Sequence, residues 1–167
     1  ALHKAMRGLE VGSEGFESQV PDFSQESINR IRTELAIPRA KRLWYIGDAF
    51  RAGMSIDEVH QLSKIDPWFL EQIEELIAAE RQLAGQKLSA LDAELLRRYK
   101  RLGFSDARLA RLMGVKEDSV RRLRHKLGIR PVYKRVDTCA AEFPTSTAYL
   151  YSSYDEECEA APSNREK

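Results

Sequence analysis

The sequence is poor in the residues that build metal centres and disulfide frameworks. Its 167 residues include only two cysteines, Cys139 and Cys158, and three histidines far apart in the chain. It contains no H-x-x-x-H or C-x-x-C pattern and no carboxylate cluster, so we predict no metal ligands. Two cysteines do not make a disulfide scaffold in a chain of this size, and they indicate reduced thiols in a cytoplasmic protein.

Long apolar runs and nucleotide-binding loops are also missing. No run approaches the length of a membrane-spanning helix, and the start has no signal-peptide hydrophobic region, so we expect no membrane partner. Neither G-x-x-x-x-G-K-[ST] nor G-x-G-x-x-G occurs, so we predict no cofactor-binding residues. A net charge of +1 favours no particular partner.

Catalytic residues are not predicted either. His3, His60 and His125 are expected on the surface, because each stands alone in the sequence. Asp137 and Glu142 are the one carboxylate pair of interest, but nothing nearby offers an acid or base partner.

What the sequence does contain is helical periodicity. Leu2, Met6 and Leu9 predict a short first helix, and a second helix begins at Ser24 or Gln25 and ends before Pro38. Further helices are predicted near 39–51, 55–64, 67–84, 89–102, 105–113 and 117–127. The expected fold class is therefore all-α, followed by an extended C-terminal tail.

Helix caps support these assignments. The predicted N-caps are small polar residues that precede apolar periodic segments: Ser55 with Glu58 in a capping box, Asp66 before Pro67, Ser89 and Ser105. Trp44 and Trp68 are both expected to pack in the core, with the Trp68 indole N–H turned toward a partner.

An internal repeat is suggested at an offset of 50 residues. Arg51-Ala-Gly-Met-Ser aligns with Arg101-Leu-Gly-Phe-Ser, and apolar positions such as Val59 and Leu109 follow in step. Each unit reads as a helix, a glycine turn, a short helix and a longer helix. Two copies predict two small helical subdomains packed together rather than a solenoid.

The second unit also resembles a helix-turn-helix, which leaves nucleic-acid binding open as an alternative. Its last helix has four basic side chains, those of Arg121, Arg122, Arg124 and Lys126. Glu117 and Asp118 at the start of that helix oppose this interpretation, because base contacts usually come from the N-terminal part of a recognition helix.

Five segments resemble a known family when taken together. They are KAMRGLEVG, LWYIGDAFRAGMS, IDPWFLEQIEEL, YKRVDTCAAEF and AYLYSSYDEECEA, in this order along nearly the whole chain. In this order they resemble the large subunit of carbamoyl phosphate synthetase, around the helical oligomerisation domain that connects its two synthetic halves.

The resemblance implies a division of the chain and a role. Residues 1–22 would end the first synthetic half and form a linker, 23–136 would be the oligomerisation domain, and 137–167 would be a tail leading to the second half. The piece alone would be inactive. The family's ATP, Mg or Mn, and potassium would be bound elsewhere in the parent, which serves arginine and pyrimidine biosynthesis.

The resemblance also implies partners: a second copy of the chain, the flanking synthetic domains and the small glutaminase subunit, with no nucleic acid. We expect part of the self-association surface on the helix that contains Ile28, Ile31 and Leu35, although these residues could equally be core. Interdomain contacts are expected from five residues on either side of the start of the tail: Tyr133, Lys134, Arg135, Asp137 and Glu142.

Overall fold

Helices dominate the computed structural model, which describes residues 1–144 and 147–160. The α-helices of the described residues are α1 (Leu2–Gly8), α2 (Gln25–Ala36), α3 (Arg42–Arg51), α4 (Ile56–Ser63), α5 (Pro67–Leu83), α6 (Ala93–Arg101), α7 (Asp106–Met113) and α8 (Glu117–Lys126). A 3₁₀ turn at Leu88–Ala90 precedes α6, and two short strands follow α8, β1 (Val132–Arg135) and β2 (Leu150–Ser153). The predicted all-α class is confirmed.

The helix starts follow local capping chemistry. Ser55 and Glu58 form the predicted capping box at α4, and Asp66 caps α5 with Pro67 in its first turn. Ser105 caps α7 as predicted. The cap predicted at Ser89 is wrong, because α6 starts at Ala93 and the carboxylate of Asp92 accepts the Leu95 N–H at 2.8 Å.

The order of elements after α2 is the same in both halves. A helix, a glycine turn, a short helix and a further helix occur once as α3–α5 and again as α6–α8. Gly53 and Gly103 occupy equivalent turns with φ of 85° and 92°, a region that favours glycine. Whether these halves are two copies of one ancestral subdomain stays a prediction.

One continuous core joins the two halves and includes the N-terminal segment. Phe50 and Leu70 of the first half and Leu96 and Leu109 of the second are all buried in it. Phe16, in the segment that the sequence suggested as a linker, is fully buried in the same core. Residues before α2 are thus packed against the helices, and the boundary at residue 23 stays a prediction.

The tail folds back onto the helices as an antiparallel hairpin. Val132 pairs with Ser153 and Arg135 with Leu150 in its register. Lys4 of α1 donates through Nζ to the Ser152 carbonyl oxygen at 3.0 Å, so the first helix and the last strand are in contact. Residues 145, 146 and 161–167 of the predicted tail lie outside the described residues.

Candidate functional site

The three residues of α2 proposed for self-association differ in burial. Ile31 and Leu35 are fully buried in the core of this chain, whereas Ile28 is half-buried. A side chain without exposed surface cannot meet another molecule unless the fold opens, so the surface assignment is corrected for Ile31 and Leu35. Ile28 is the one of these three side chains that a partner could contact, and its role stays a prediction.

Two of the proposed interdomain residues are engaged within the tail. Lys134 Nζ lies 2.9 Å from Glu159 Oε1, and the Arg135 backbone N–H donates to Glu159 Oε2 at 2.7 Å. The hydrogen bond to Glu159 raises the pKa of Lys134, while the hydrogen bond from the Arg135 backbone lowers the pKa of Glu159. Glu159 therefore holds the segment that follows β2 against β1.

Asp137 organises a turn after β1. Its carboxylate accepts the backbone N–H groups of Cys139 at 2.9 Å and Ala141 at 2.6 Å. Ala140 and Ala141 have φ of 50° and 59°, and these hydrogen bonds help to hold that unusual conformation. Glu142 is exposed after the turn. The function of this turn toward another domain stays a prediction.

The hairpin and its loop expose several large apolar side chains: Tyr133, Phe143, Tyr149, Leu150 and Tyr151. Because successive side chains of a strand point to opposite faces, the register puts Tyr133 and Leu150 on one face and Tyr149 and Tyr151 on the other. Exposed apolar side chains that share a face are typical of surfaces that another protein part covers. Tyr133 belongs to the predicted interdomain set.

A buried ionic cluster joins the two halves, and sequence reasoning missed it. Glu80 of α5 accepts hydrogen bonds from Arg51 of α3 at 2.6 Å and from Arg108 of α7 at 2.6 Å. Both arginines also donate to the Phe16 carbonyl oxygen. Because Arg51 also pairs with Asp48 at 2.9 Å, two buried carboxylates balance the two arginines.

A second ionic group lies between α6, α7 and α8. Asp106 accepts from Lys100 Nζ at 2.8 Å and from Arg124 Nη2 at 2.9 Å. Burial opposes the charge on Asp106, but hydrogen bonds from Arg124 and Lys100 outweigh it and lower its pKa. Tyr154 of the tail covers both cations, and a cavity of about 1290 Å³ opens beside the group toward α1 and β2.

These contacts bear on the nucleic-acid alternative. Arg124 is buried and committed to Asp106, and Arg121 pairs with Glu117 and Asp118. Two of the four basic side chains predicted to contact phosphate on this helix are thus neutralised within the chain. Neither the fold nor any contact in the described residues supports nucleic-acid binding.

His3 departs from the expected surface location. It is 1% exposed and packs edge-to-face against Phe16 and Phe104. Within the described part of the chain, neither ring nitrogen has a hydrogen-bond partner. Burial, followed by the positive charges of Arg108 and Arg7, lowers the pKa of His3 to about 4. The ring is therefore neutral at physiological pH.

Trp68 also departs from the expected location, while Trp44 conforms to it. Trp44 is buried and donates its indole N–H to the Gly15 carbonyl oxygen at 2.9 Å. Trp68 is exposed at the start of α5, although Pro67 and the Asp66 cap are placed as predicted. The predicted start of α5 is confirmed, but a capping signal does not indicate which face of the helix packs on the core.

Two further features are absent from the part of the chain that the structure describes. No group of three or more metal-ligating side chains lies together there. None of the described helices is long and apolar enough to cross a membrane. The predictions of no catalytic, cofactor-binding or metal-binding residue are not tested by these observations.

Comparison with known proteins identifies the family. Residues 1–128 match the model for the carbamoyl-phosphate synthetase large chain, oligomerisation domain. The whole chain aligns with carbamoyl phosphate synthase large chains at 60% identity in Xanthomonas campestris pv. campestris, 57% in Vibrio parahaemolyticus and 55% in Pseudomonas aeruginosa. It covers 16% of the length of each relative. A match of this extent places the chain in the family of carbamoyl phosphate synthase large-chain oligomerisation domains.

Proposed function

We propose that this chain is the non-catalytic connection between the two ATP-using synthetic halves of a glutamine-dependent carbamoyl phosphate synthetase, and that it self-associates. The observation that carries the proposal is the family match over residues 1–128 together with identity across the full chain. The remaining length of the relatives provides room for both synthetic halves on either side. The division into 1–22, 23–136 and 137–167 belongs to the same proposal.

The tail supports the connecting role. The exposed side chains of Tyr133 and Leu150, on one face of the hairpin, provide a surface for the second synthetic half. Lys134, Arg135 and Asp137 shape this hairpin through Glu159 and the turn after β1. Glu142 follows the turn at an exposed position where a polar contact could form.

Further properties of the parent enzyme follow from the same family assignment. We propose a cytoplasmic ligase of arginine and pyrimidine biosynthesis that receives ammonia from a small glutaminase subunit. ATP, with Mg or Mn, and potassium would bind in the synthetic halves, leaving this chain without catalytic or cofactor-binding residues of its own. Nucleic acid is not a proposed partner.

Sedimentation velocity across a concentration series tests the self-association. We expect a dimer or larger species whose share rises with concentration. A monomer at every concentration would reject self-association by this chain and would leave it the connecting role alone. Salt-dependent binding to random duplex DNA in a parallel titration would reject the statement about nucleic acid.

A further inference from the structure

Trp68 and Phe69 form an exposed aromatic pair in the first turn of α5. Their exposed fractions are 60% and 57%, and their ring centroids lie 4.9 Å apart in an edge-to-face arrangement. Single exposed apolar residues need no explanation, but two large adjoining rings make a continuous apolar surface of the kind that proteins cover on association.

The backbone beneath this aromatic pair is held in place. Asp66 Oδ1 accepts the backbone N–H of Trp68 at 2.9 Å, and Pro67 occupies the first helical position. Leu70, the next residue, is fully buried in the core. A surface attached to a fixed helix start loses little backbone freedom when a partner binds, which favours association.

The aromatic pair lies far along α5 from the contacts that hold the N-terminal segment. Glu80, near the other end of α5, lies beside Arg108, which also donates to the Phe16 carbonyl oxygen. Trp68 is twelve residues earlier on the same helix, which corresponds to about 18 Å.

The residues before the aromatic pair lie beside a polar cavity. This shallow cavity of about 520 Å³ between α2 and α4 is lined by Arg32, Glu58, Gln61, Leu62 and Lys64. Arg32 and Glu58 bridge the two helices at 3.4 Å. Lys64, the C-cap of α4, comes four residues before Trp68 in the sequence.

We propose that the aromatic pair of Trp68 and Phe69 anchors the contact with a second copy of this chain. The proposal rests on the self-association proposed above and names its central residues. A copy of the same domain is the favoured occupant, because the pair lies within residues 1–128, which match an oligomerisation domain, and about 18 Å along α5 from the Glu80 contacts. Interfaces commonly derive most of their affinity from a few such side chains, with tryptophan over-represented among them.

The test compares the 167-residue chain with a double variant, Trp68→Ser with Phe69→Ser, by sedimentation velocity over the same concentrations. A second double variant, Tyr149→Ser with Tyr151→Ser, controls for the removal of two exposed aromatic rings elsewhere. We expect the dissociation constant to rise at least tenfold for the first variant and to stay within twofold for the control. Far-UV circular dichroism should be the same for all three.

The outcomes separate this proposal from the one on which it rests. If the unaltered chain associates and the Trp68 and Phe69 variant associates equally well, the anchor assignment is wrong and self-association stands. If the unaltered chain is a monomer throughout, both proposals fall. A rise in the dissociation constant for the control as large as that for the variant would show a general effect of lost aromatic surface and would also reject the anchor.

Fluorescence gives a local reading of the same surface. In a Trp44→Phe variant, Trp68 is the one tryptophan left in the sequence. Burial of its indole on association should move the emission maximum to shorter wavelength as concentration rises. An emission maximum that stays constant across the range where sedimentation shows association would place Trp68 outside the contact.

Discussion

Arg108 Nη2 lies 2.6 Å from Glu80 Oε1 in a pair that is almost wholly buried. The two residues come from different halves of the helical region, α5 and α7. Arg51 of α3 meets the same carboxylate, and both arginines bind the carbonyl oxygen of Phe16. Through these two arginines, the Glu80 carboxylate links the N-terminal segment to both halves of the fold.

Removal of that carboxylate should be costly. Glu80→Ala leaves two buried guanidinium groups with one less counter-charge, and the loss of one partner of a buried ion pair typically costs about 3 to 5 kcal/mol. We expect a fall of about 3 kcal/mol in the free energy of unfolding, measured by urea denaturation. Glu75→Ala, at an exposed position on the same helix, should change it by less than about 0.5 kcal/mol.

Substitution of Ile31 should affect folding before it affects association. Ile31→Ala removes a fully buried side chain, and such changes cost about 2 to 5 kcal/mol. Ile31→Glu should prevent folding, because it buries an unpaired charge, and circular dichroism would record the loss of helix. Ile28→Ala, half-buried on the same helix, should cost less than Ile31→Ala. A well-folded Ile31→Glu variant with weakened association would restore the original surface assignment.

The pH dependence of stability should contain a contribution from His3. Its pKa is about 4 in the folded protein and 6.5 when unperturbed, so between these values the unfolded chain binds the proton and the folded chain does not. The His3 contribution is therefore fully retained above pH 6.5 and lost as pH falls toward 4, with a slope of up to about 1.4 kcal/mol per pH unit. Protonation of the buried ring would also place a positive charge near those of Arg108 and Arg7, which repel it.

Urea denaturation of the unaltered chain and of His3→Leu, both between pH 4.5 and 7.5, measures this contribution. The carboxylates titrate in both proteins, so the difference between the two curves isolates His3. That difference should shrink or reverse as pH falls. Parallel curves would mean that His3 has the same proton affinity in the folded and unfolded chains.

The start of α6 can be checked with two single substitutions. Asp92→Ala removes the carboxylate that accepts the Leu95 N–H and should lower the free energy of unfolding by about 1 kcal/mol. Ser89→Ala, at the position that the sequence favoured as the cap, should leave it within about 0.5 kcal/mol of the unaltered value. A larger loss from Ser89→Ala than from Asp92→Ala would place the cap at Ser89.

The features that the sequence predicted well depend on residues close together in the chain. Helical periodicity, the capping box of Ser55 and Glu58, and the Asp66 cap before Pro67 each involve no more than a few neighbouring positions. Ser89 failed as a cap because Asp92 offers the same chemistry three residues later, and both precede an apolar periodic segment. The choice between such candidates depends on packing, which periodicity does not contain.

The missed features depend on partners distant in the sequence. Glu80 follows Leu76 and Ile77 on the apolar stripe of α5, a position that signals a buried carboxylate. The sequence could have revealed this signal, but not that Arg51 and Arg108 would meet it. His3 was predicted at the surface and is buried, whereas Trp68 was predicted in the core and is exposed. The Phe16 segment and the neighbouring helices decide which faces of α1 and α5 are buried.

The contact between Lys4 and Ser152 holds the first helix against the second strand of the hairpin, although 148 positions of the sequence separate the two residues. Each of the loops between α2 and α8 lies between these two residues in the sequence. Insertions at exposed loop positions there would therefore leave α1 and β2 side by side.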